Sequence, residues 1–392
     1  MGLMSEYIKK IKEGMNLETE LMSLIKQYND YNKERDTFLF VYASSRKSIP
    51  DISLTMDDYQ IIYDMLLGNE AGNLDFYIET PGGSGEAAEE IAKFTREEFN
   101  EISFVVAGEA KSAGTILVLS GDEIIMTRNG SLGPIDAQVK IGRTVISAYD
   151  YMEWVKEKRE EAETKKALNP FDATMIAQIS PGELEGVNNS LTFAEVMVTE
   201  WLEKYKFKNW TITGTTKKEV TTKMRKNRAE EIAQALTNHN KWKSHGRSLK
   251  IQDLEDIGLQ IQEADKDPIL SSIIYKIQTV IRLMFSSTST YKIFATENDK
   301  ILKNAVDKSS SQDMQVKSAE SGKIGVKCKQ CGEKHEFYFK FVNDPKIDED
   351  FKKKGILPFP KDNKLKCKCG YTMDLNGIKN EIETKTGKKM VM

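Results

Sequence analysis

The chain has 392 residues, with 57 Lys and Arg against 60 Asp and Glu for a net charge of −3, and 39% hydrophobic against 30% charged residues. That length sets a prior of two or three domains with ample core, and so balanced a charge demands no nucleic-acid partner, so none is expected. No stretch reaches the roughly 18 apolar residues of a membrane span, and Met1 to Asn32 mixes Lys and Glu among its apolar positions where a signal peptide has an unbroken apolar run, so the expected location is cytoplasmic, with peripheral membrane attachment as the alternative.

Residues 5–35 read as one amphipathic, highly charged helix, a solvated N-terminal arm or partner helix spanning residues 1–36. Thr37 to Tyr42 is the first strand. Thr55 then caps a helix that runs through Leu67, with Asp57 and Asp58 in its first turn. Strand 74–79, helix 85–99, strand 102–107, helix 112–120 and strand 123–127 alternate after it, the pattern of a largely parallel sheet covered by helices; the fold class is α/β. A long charged helix follows from Ala148 to Lys166 and is broken at Asn169-Pro170, because proline disfavours helical geometry in the residue before it. Two more helices occupy about 182–205 and 227–240. The apolar stretch Ile269 to Met284, within an amphipathic helical extension over 263–302, is assigned to core or oligomer packing, with membrane-surface attachment as the alternative. Residues 303–322, including Ser309-Ser310-Ser311, have the polar composition of a linker.

Two segments carry the chemistry. Thr80-Pro81-Gly82-Gly83-Ser84 follows the apolar run Leu74 to Ile78, and Ala110-Lys111-Ser112-Ala113-Gly114-Thr115 follows Ile102 to Ala107. Each is a strand-to-helix turn. Glycine in the first lets backbone N–H groups approach a ligand closely, and Ser112 in the second opens a helix, where unpaired N–H groups favour developing negative charge. Gly82, Gly83 and Ala113 are the candidate oxyanion donors beside Ser112.

Together with Ser131-Leu132-Gly133-Pro134-Ile135-Asp136-Ala137-Gln138, these motifs resemble the serine dehydrogenase proteinase family, within the superfamily of the Clp protease proteolytic subunit, signal peptide peptidase A and crotonase. The resemblance covers roughly residues 37–262. It implies stacked ββα units, a serine nucleophile at Ser112, an oxyanion hole from the N–H groups of Gly83 and Ala113, a polypeptide substrate and a homo-oligomer. The segment Gly246 to Leu259 is similar to the closing strand-helix unit of signal peptide peptidase A.

A serine hydroxyl needs a base. The Clp subunit has its histidine some 25 residues after the serine, whereas this chain has Asp136-Ala137-Gln138 there and no histidine between Ser112 and His239. A Clp-type order of Ser, His and Asp is therefore not expected. Lys165 or Lys166, in a run similar to the lysine-containing stretch of signal peptide peptidase A, is one candidate, provided that burial favours its neutral form. Lys165 matches the offset better. His245 is the other, near the position of the third Clp triad member, and imidazole needs little tuning to act near neutral pH. Lys111 is set aside because side chains at a helix start diverge, His239 and His335 are assigned to the surface, and Asp136 carries little weight as a site residue.

All four cysteines lie near the C-terminus, in Cys328-Lys329-Gln330-Cys331-Gly332 and Cys367-Lys368-Cys369-Gly370, separated by 35 residues. Four thiolates complete a tetrahedral zinc shell with no open position, so the expectation is a structural Zn2+ in a zinc-ribbon-like domain over residues 323–392 and no cofactor for catalysis. The function expected is a serine peptidase working through an acyl-enzyme on Ser112. A crotonase-type acyl-CoA hydratase or thioesterase, which uses the same pair of N–H groups, and a non-catalytic scaffold with a zinc ribbon are the alternatives.

Overall fold

In a computed structural model, residues 2–45, 52–141, 144–214, 217–305, 315–318, 320–386 and 388–391 are described. The chain divides into two compact units, Met1–Ala305 and Val306–Met392.

The first unit begins with α1 (Leu3–Lys12) and α2 (Leu17–Tyr31) and continues through β1 (Thr37–Ser44), α3 (Met56–Leu66), β2 (Asn73–Glu79), α4 (Gly85–Glu98), β3 (Glu101–Val106), the short β4 (Glu109–Ala110), α5 (Ala113–Val118), β5 (Glu123–Met126) and the short β6 (Ser131–Leu132). A hairpin of β7 (Gln138–Ile141) and β8 (Thr144–Ser147) leads into α6 (Ala148–Lys165), α7 (Pro170–Ile176), α8 (Pro181–Trp201), α9 (Thr222–Thr237), α10 (His239–Trp242) and α11 (Ile251–Asp256). The strand β9 (Gln262–Glu263), α12 (Pro268–Ser287), β10 (Thr290–Ala295) and β11 (Lys300–Asn304) complete it. The main sheet has the order β11-β10-β1-β2-β3-β5-β9. Its pairings from β1 to β9 are parallel, and the β10–β11 hairpin adds an antiparallel edge.

The apolar runs of β1 to β3 follow from burial on both faces. Phe40, Tyr42, Leu74, Phe76, Ile102 and Phe104 enter one core, which also contains residues of α3, α4 and α5, while Leu39, Val41, Tyr77 and Val105 enter a second with α1, α2 and α12. The period-two alternation of strand side chains thus serves two helical layers. At α3 the capping box is present, with Thr55 N–H donating to Asp58 Oδ2 at 3.0 Å; such a cap stabilises by about 1 kcal/mol.

Two expectations are corrected. Residues 1–36 are not a solvated arm: the segment breaks into α1 and α2 around Gly14, whose φ is 101°, and Tyr7, Leu21, Leu24, Ile25 and Tyr28 are buried in the second core. The apolar stripe that makes the segment amphipathic packs into that core, and only its charged face is left to solvent. The 303–322 segment is not wholly linker either: β11 reaches Asn304, and β12 (Gln315–Ser318) and β13 (Ser321–Lys327) are paired strands. Residues 306–314, with the serine run, and residue 319 lie outside the described residues. Helix α12 is long and apolar enough to cross a membrane, yet Ile274, Ile277, Val280 and Ile281 are fully buried in the unit's second core. Its apolarity is accounted for by packing.

A second ladder of short pairings stands beside the sheet. Leu54 pairs with Gly83 and Thr80 with Ala110 in parallel, β4 pairs with β6 in parallel, and Leu132 pairs with Leu249 antiparallel. Strands β1, β2, β3 and β5 are each followed by a short ladder segment and then, for β1, β2 and β3, by a helix. This repeat is what brings both glycine- and serine-bearing turns to one place.

The second unit contains a four-stranded sheet of β12, β13, β14 (Lys334–Lys340) and β15 (Leu357–Pro358), a hairpin of β16 (Lys364–Lys366) and β17 (Thr372–Asp374), and helices α13 (Pro345–Lys353) and α14 (Asn376–Thr386). Ile324, Val326, Phe337, Phe339, Leu365 and Leu375 form its small core together with Cys328 and Cys367.

Candidate active site

Ser112 sits between β4 and α5 with φ 50° and ψ −119°. A positive φ costs a non-glycine residue about 1–3 kcal/mol and persists only where its surroundings enforce it. Here the enforcement is visible. Thr80 N–H donates to Glu109 O at 2.7 Å and Lys111 N–H to Thr80 O at 3.1 Å, pressing the two turns together. A Cβ on Gly82 would lie 2.6 Å from Lys111 O and 2.7 Å from Ser112 Cβ, and one on Gly114 would collide with Thr80 Cγ2. A sharp strand-to-helix turn of this kind presents a serine hydroxyl outward. Ser112 is half-buried, and its hydroxyl donates to no group among the described residues.

The three candidate oxyanion donors separate. Gly82 N–H already donates to Thr80 Oγ1 at 3.2 Å. Gly83 is held by Leu54, whose N–H donates to Gly82 O at 2.8 Å and whose carbonyl accepts from Ser84 N–H at 2.9 Å, an arrangement that leaves the Gly83 N–H unused among the described residues. With φ 154° and Leu54 backbone atoms where a Cβ would stand, this position requires glycine. Ala113, first residue of α5, likewise has an N–H with no partner among the described residues.

Lys111 turns inward. Its buried Nζ donates to Leu132 O at 2.9 Å, Arg247 O at 3.0 Å and Ser248 Oγ at 3.0 Å, so the ammonium is a tether and not a base. What it tethers is the loop that carries His245. The Leu132–Leu249 pairing, with N–H···O distances of 3.1 and 2.9 Å, fixes the end of the same loop.

His245 Nδ1 lies 2.8 Å from Asp136 Oδ1, and His239 Nδ1 lies 3.0 Å from Asp136 Oδ2, which also accepts from Gln138 Nε2 at 3.1 Å. Burial pushes the Asp136 carboxyl up, but the hydrogen bonds and charges of His245 and then His239 outweigh it and hold the group below the usual carboxylate range. Hydrogen bonding therefore assigns the Nδ1 proton of His245 to the bond with Asp136, which leaves Nε2 as the acceptor.

Sequence reasoning undervalued Asp136 and misplaced His239. The ring of His239 is 17% exposed and in hydrogen-bond contact with Asp136, not a solvated surface group. Asp136 stands where the Clp subunit has its histidine, and His245 close to where that subunit has its acid; reading the two positions as an exchanged pair was the available signal. His335 also leaves the surface assignment, with Nε2 3.4 Å from Cys367 Sγ.

Lys165 does not join this group. It ends α6 with its side chain 69% exposed and Nζ paired to Glu161 Oε1 at 2.8 Å, without the burial that a neutral lysine base needs. Lys166 follows as the left-handed C-cap with φ 58°. Lys165→Met is therefore expected to keep kcat/KM within about two-fold of wild type, as surface changes away from a site do; a loss beyond ten-fold in a peptidase assay would restore lysine as the base.

In the second unit, Cys328 and Cys331 flank the β13–β14 turn and Cys367 and Cys369 the β16–β17 turn. Gly332 (φ 77°) and Gly370 (φ 89°) donate their N–H groups back to Cys328 O and Cys367 O at 2.9 Å, making two matching knuckles. The four Sγ atoms lie within 4.8 Å of one another, with Cys328–Cys369 at 3.7 Å and Cys331–Cys367 at 3.5 Å. Tetrahedral Zn–S bonds of about 2.3 Å require sulfur separations of about 3.8 Å, so the cluster fits such an ion. Backbone N–H groups of Cys331 and Gln330 bring the Cys328 thiol down to about 7, whereas Cys331, Cys367 and Cys369 are shifted up.

Among curated proteins, the chain is 25% identical over 132 residues to uncharacterized protein MJ1495 of Methanocaldococcus jannaschii, covering 32% of this chain and 45% of that one. It is 42% identical over 66 residues to uncharacterized protein MJ0137 of the same organism, covering 17% and 23%. The matches thus span less than half the length of either relative. Among solved structures, two mutants of the 1510-N membrane-bound stomatin-specific protease, the second in complex with a substrate peptide, align at 13% identity with TM-scores of 0.33 and 0.34, over 57% and 65% of this chain and 79% and 84% of theirs. Residues 52–180, which hold Gly83, Ser112, Ala113 and Asp136, match the family model of the ClpP-like SDH-type serine proteinases.

Proposed function

We propose that the first unit is a serine peptidase in which Ser112 is the nucleophile, His245 the general base and Asp136 the carboxylate that orients it. The observation that carries this reading is the Asp136–His245 pair, on a loop that Lys111, the residue next to Ser112, holds by Nζ at 3.0 Å from Arg247 O. His245 Nε2 takes the Ser112 hydroxyl proton as Oγ attacks the scissile carbonyl. The resulting oxyanion accepts from Gly83 and Ala113 N–H, each donor contributing on the order of 10²-fold or more to kcat. The proton passes to the leaving amine, and a water activated by the same imidazole releases the acyl group. Asp136, kept ionised by its two histidines, stabilises the imidazolium formed in between.

The same reading takes residues 37–262 as the catalytic domain and the four cysteines of the second unit as a structural zinc site. Zinc would be held by Cys328, Cys331, Cys367 and Cys369 and would supply fold stability to a segment with a small core, with no part in the hydrolysis.

A serine-directed fluorophosphonate tests the assignment. It is expected to modify Ser112 in the native protein, seen as a mass shift on the tryptic peptide containing Ser112, and to fail after heat denaturation. An unmodified Ser112 in folded protein counts against an activated nucleophile.

A further inference from the structure

Asp136 is shared by two histidines, one on each oxygen, and only His245 is used in the chemistry above. His239 differs from it in one respect: both of its ring nitrogens face carboxylates, Nδ1 at 3.0 Å from Asp136 Oδ2 and Nε2 at 3.3 Å from Asp150 Oδ2. A neutral imidazole has one N–H and satisfies one carboxylate; only the doubly protonated ring satisfies both. Independent contacts hold this geometry. Asn238 Oδ1 caps α10 by accepting Lys241 N–H at 3.0 Å, and Ala148 N–H donates to Ala137 O at 2.9 Å, tying the start of α6, with Asp150, to the residue after Asp136.

We propose that His239 is a positioning residue that sets the working pH of the peptidase: as a doubly donating ring between Asp136 and Asp150 it offsets the Asp136 charge, so that His245 is free of its extra proton and available as base. This rests on the Ser112–His245 reading. A buried carboxylate facing a single imidazole favours the imidazolium, which is useless as a base; a second cation on the other oxygen weakens that pull. The groups facing the pair are Asp136 from the loop after β6, Asp150 from α6 and His245 from the loop before α11, with Gln138 as a neutral donor. Nearby cations are otherwise engaged: Lys111 with Leu132, Arg247 and Ser248, Arg247 with Trp242 O at 3.4 Å, and Lys241 over the Trp242 ring.

The test uses the full chain and the variants His239→Gln and Asp150→Asn. His239→Gln keeps one donor nitrogen for Asp136 but removes the second donor nitrogen, toward Asp150, and the positive charge, so His245 holds its proton more tightly and the acid limb of the kcat/KM profile moves to higher pH by roughly 0.5 to 1 unit, with KM little changed. Asp150→Asn moves it the same way by less, since Asp150 is 57% exposed and screened. Nitrogen-15 spectra of histidine-labelled protein give a readout independent of turnover, and the chain has only three histidines. Two N–H-type nitrogens on His239 at the activity optimum support the proposal; one unprotonated nitrogen there overturns it. An unmoved acid limb in His239→Gln, with His245→Gln inactive, overturns the proposal and leaves the Ser112–His245 reading standing. Full activity in His245→Gln removes that reading and this proposal with it.

Discussion

Ser112→Ala is expected to lower peptide hydrolysis by a factor on the order of 10³ or more while leaving the melting temperature of the first unit within a degree or two. The two expectations have separate causes. The hydroxyl makes no hydrogen bond among the described residues, so its loss removes no stabilising contact, and alanine at φ 50° meets the same backbone strain as serine. The chemistry, by contrast, has no other nucleophile at that turn. His245→Gln should cost a similar factor, because glutamine can still donate to Asp136 but cannot take a proton. Combining the two should cost little beyond either alone, since residues acting as one unit are not additive. Single-turnover rates on an acyl-activated peptide, with melting curves for each variant, provide the check. Near wild-type turnover in folded Ser112→Ala would sink the nucleophile assignment, and a fully multiplicative double variant would break the link between Ser112 and His245.

Much of the first unit was legible because its elements obey simple periodicity. Strands β2, β3 and β5 fall within a residue of the apolar runs, since strands buried on both faces leave no alternation to misread, and α3 begins at the Thr55 cap. The glycine and serine turns were legible for a related reason: only glycine tolerates the contact of Gly82 with Lys111 and of Gly83 with Leu54. The base was not. His245 and Asp136 are 109 positions apart, and what unites them is a lysine tether and a two-residue bridge, contacts that no local pattern encodes. Lys165 attracted attention by its offset from a proline; its 69% exposure is a property of which face of α6 it occupies, and a charged helix with weak amphipathicity does not declare that face.

Chelation is expected to unfold the second unit and spare the first. The physical case begins with size: the core around Ile324, Phe337, Phe339 and Leu365 is small, and segments of fewer than about 80 residues rarely stabilise themselves on apolar burial alone. Two of the four thiols, Cys328 and Cys367, are part of that core, so an ion bridging the β13–β14 and β16–β17 turns ties together two sheets that otherwise share this small apolar cluster. Without it, four sulfurs within 4.8 Å of one another lose a common partner, and the coupling of metal binding to folding runs in reverse. Protein purified without chelator should therefore contain about one equivalent of zinc, and excess chelator should collapse the amide signals of residues 320–386 while fluorophosphonate labelling of Ser112 persists. Cys328→Ser should reproduce the loss without chelator. Acid should act the same way, because protons compete with the ion for the four thiolates and lowering the pH favours its release. Retention of a folded second unit in metal-free protein, by the dispersion of those amide signals, would show that the four cysteines pack without an ion.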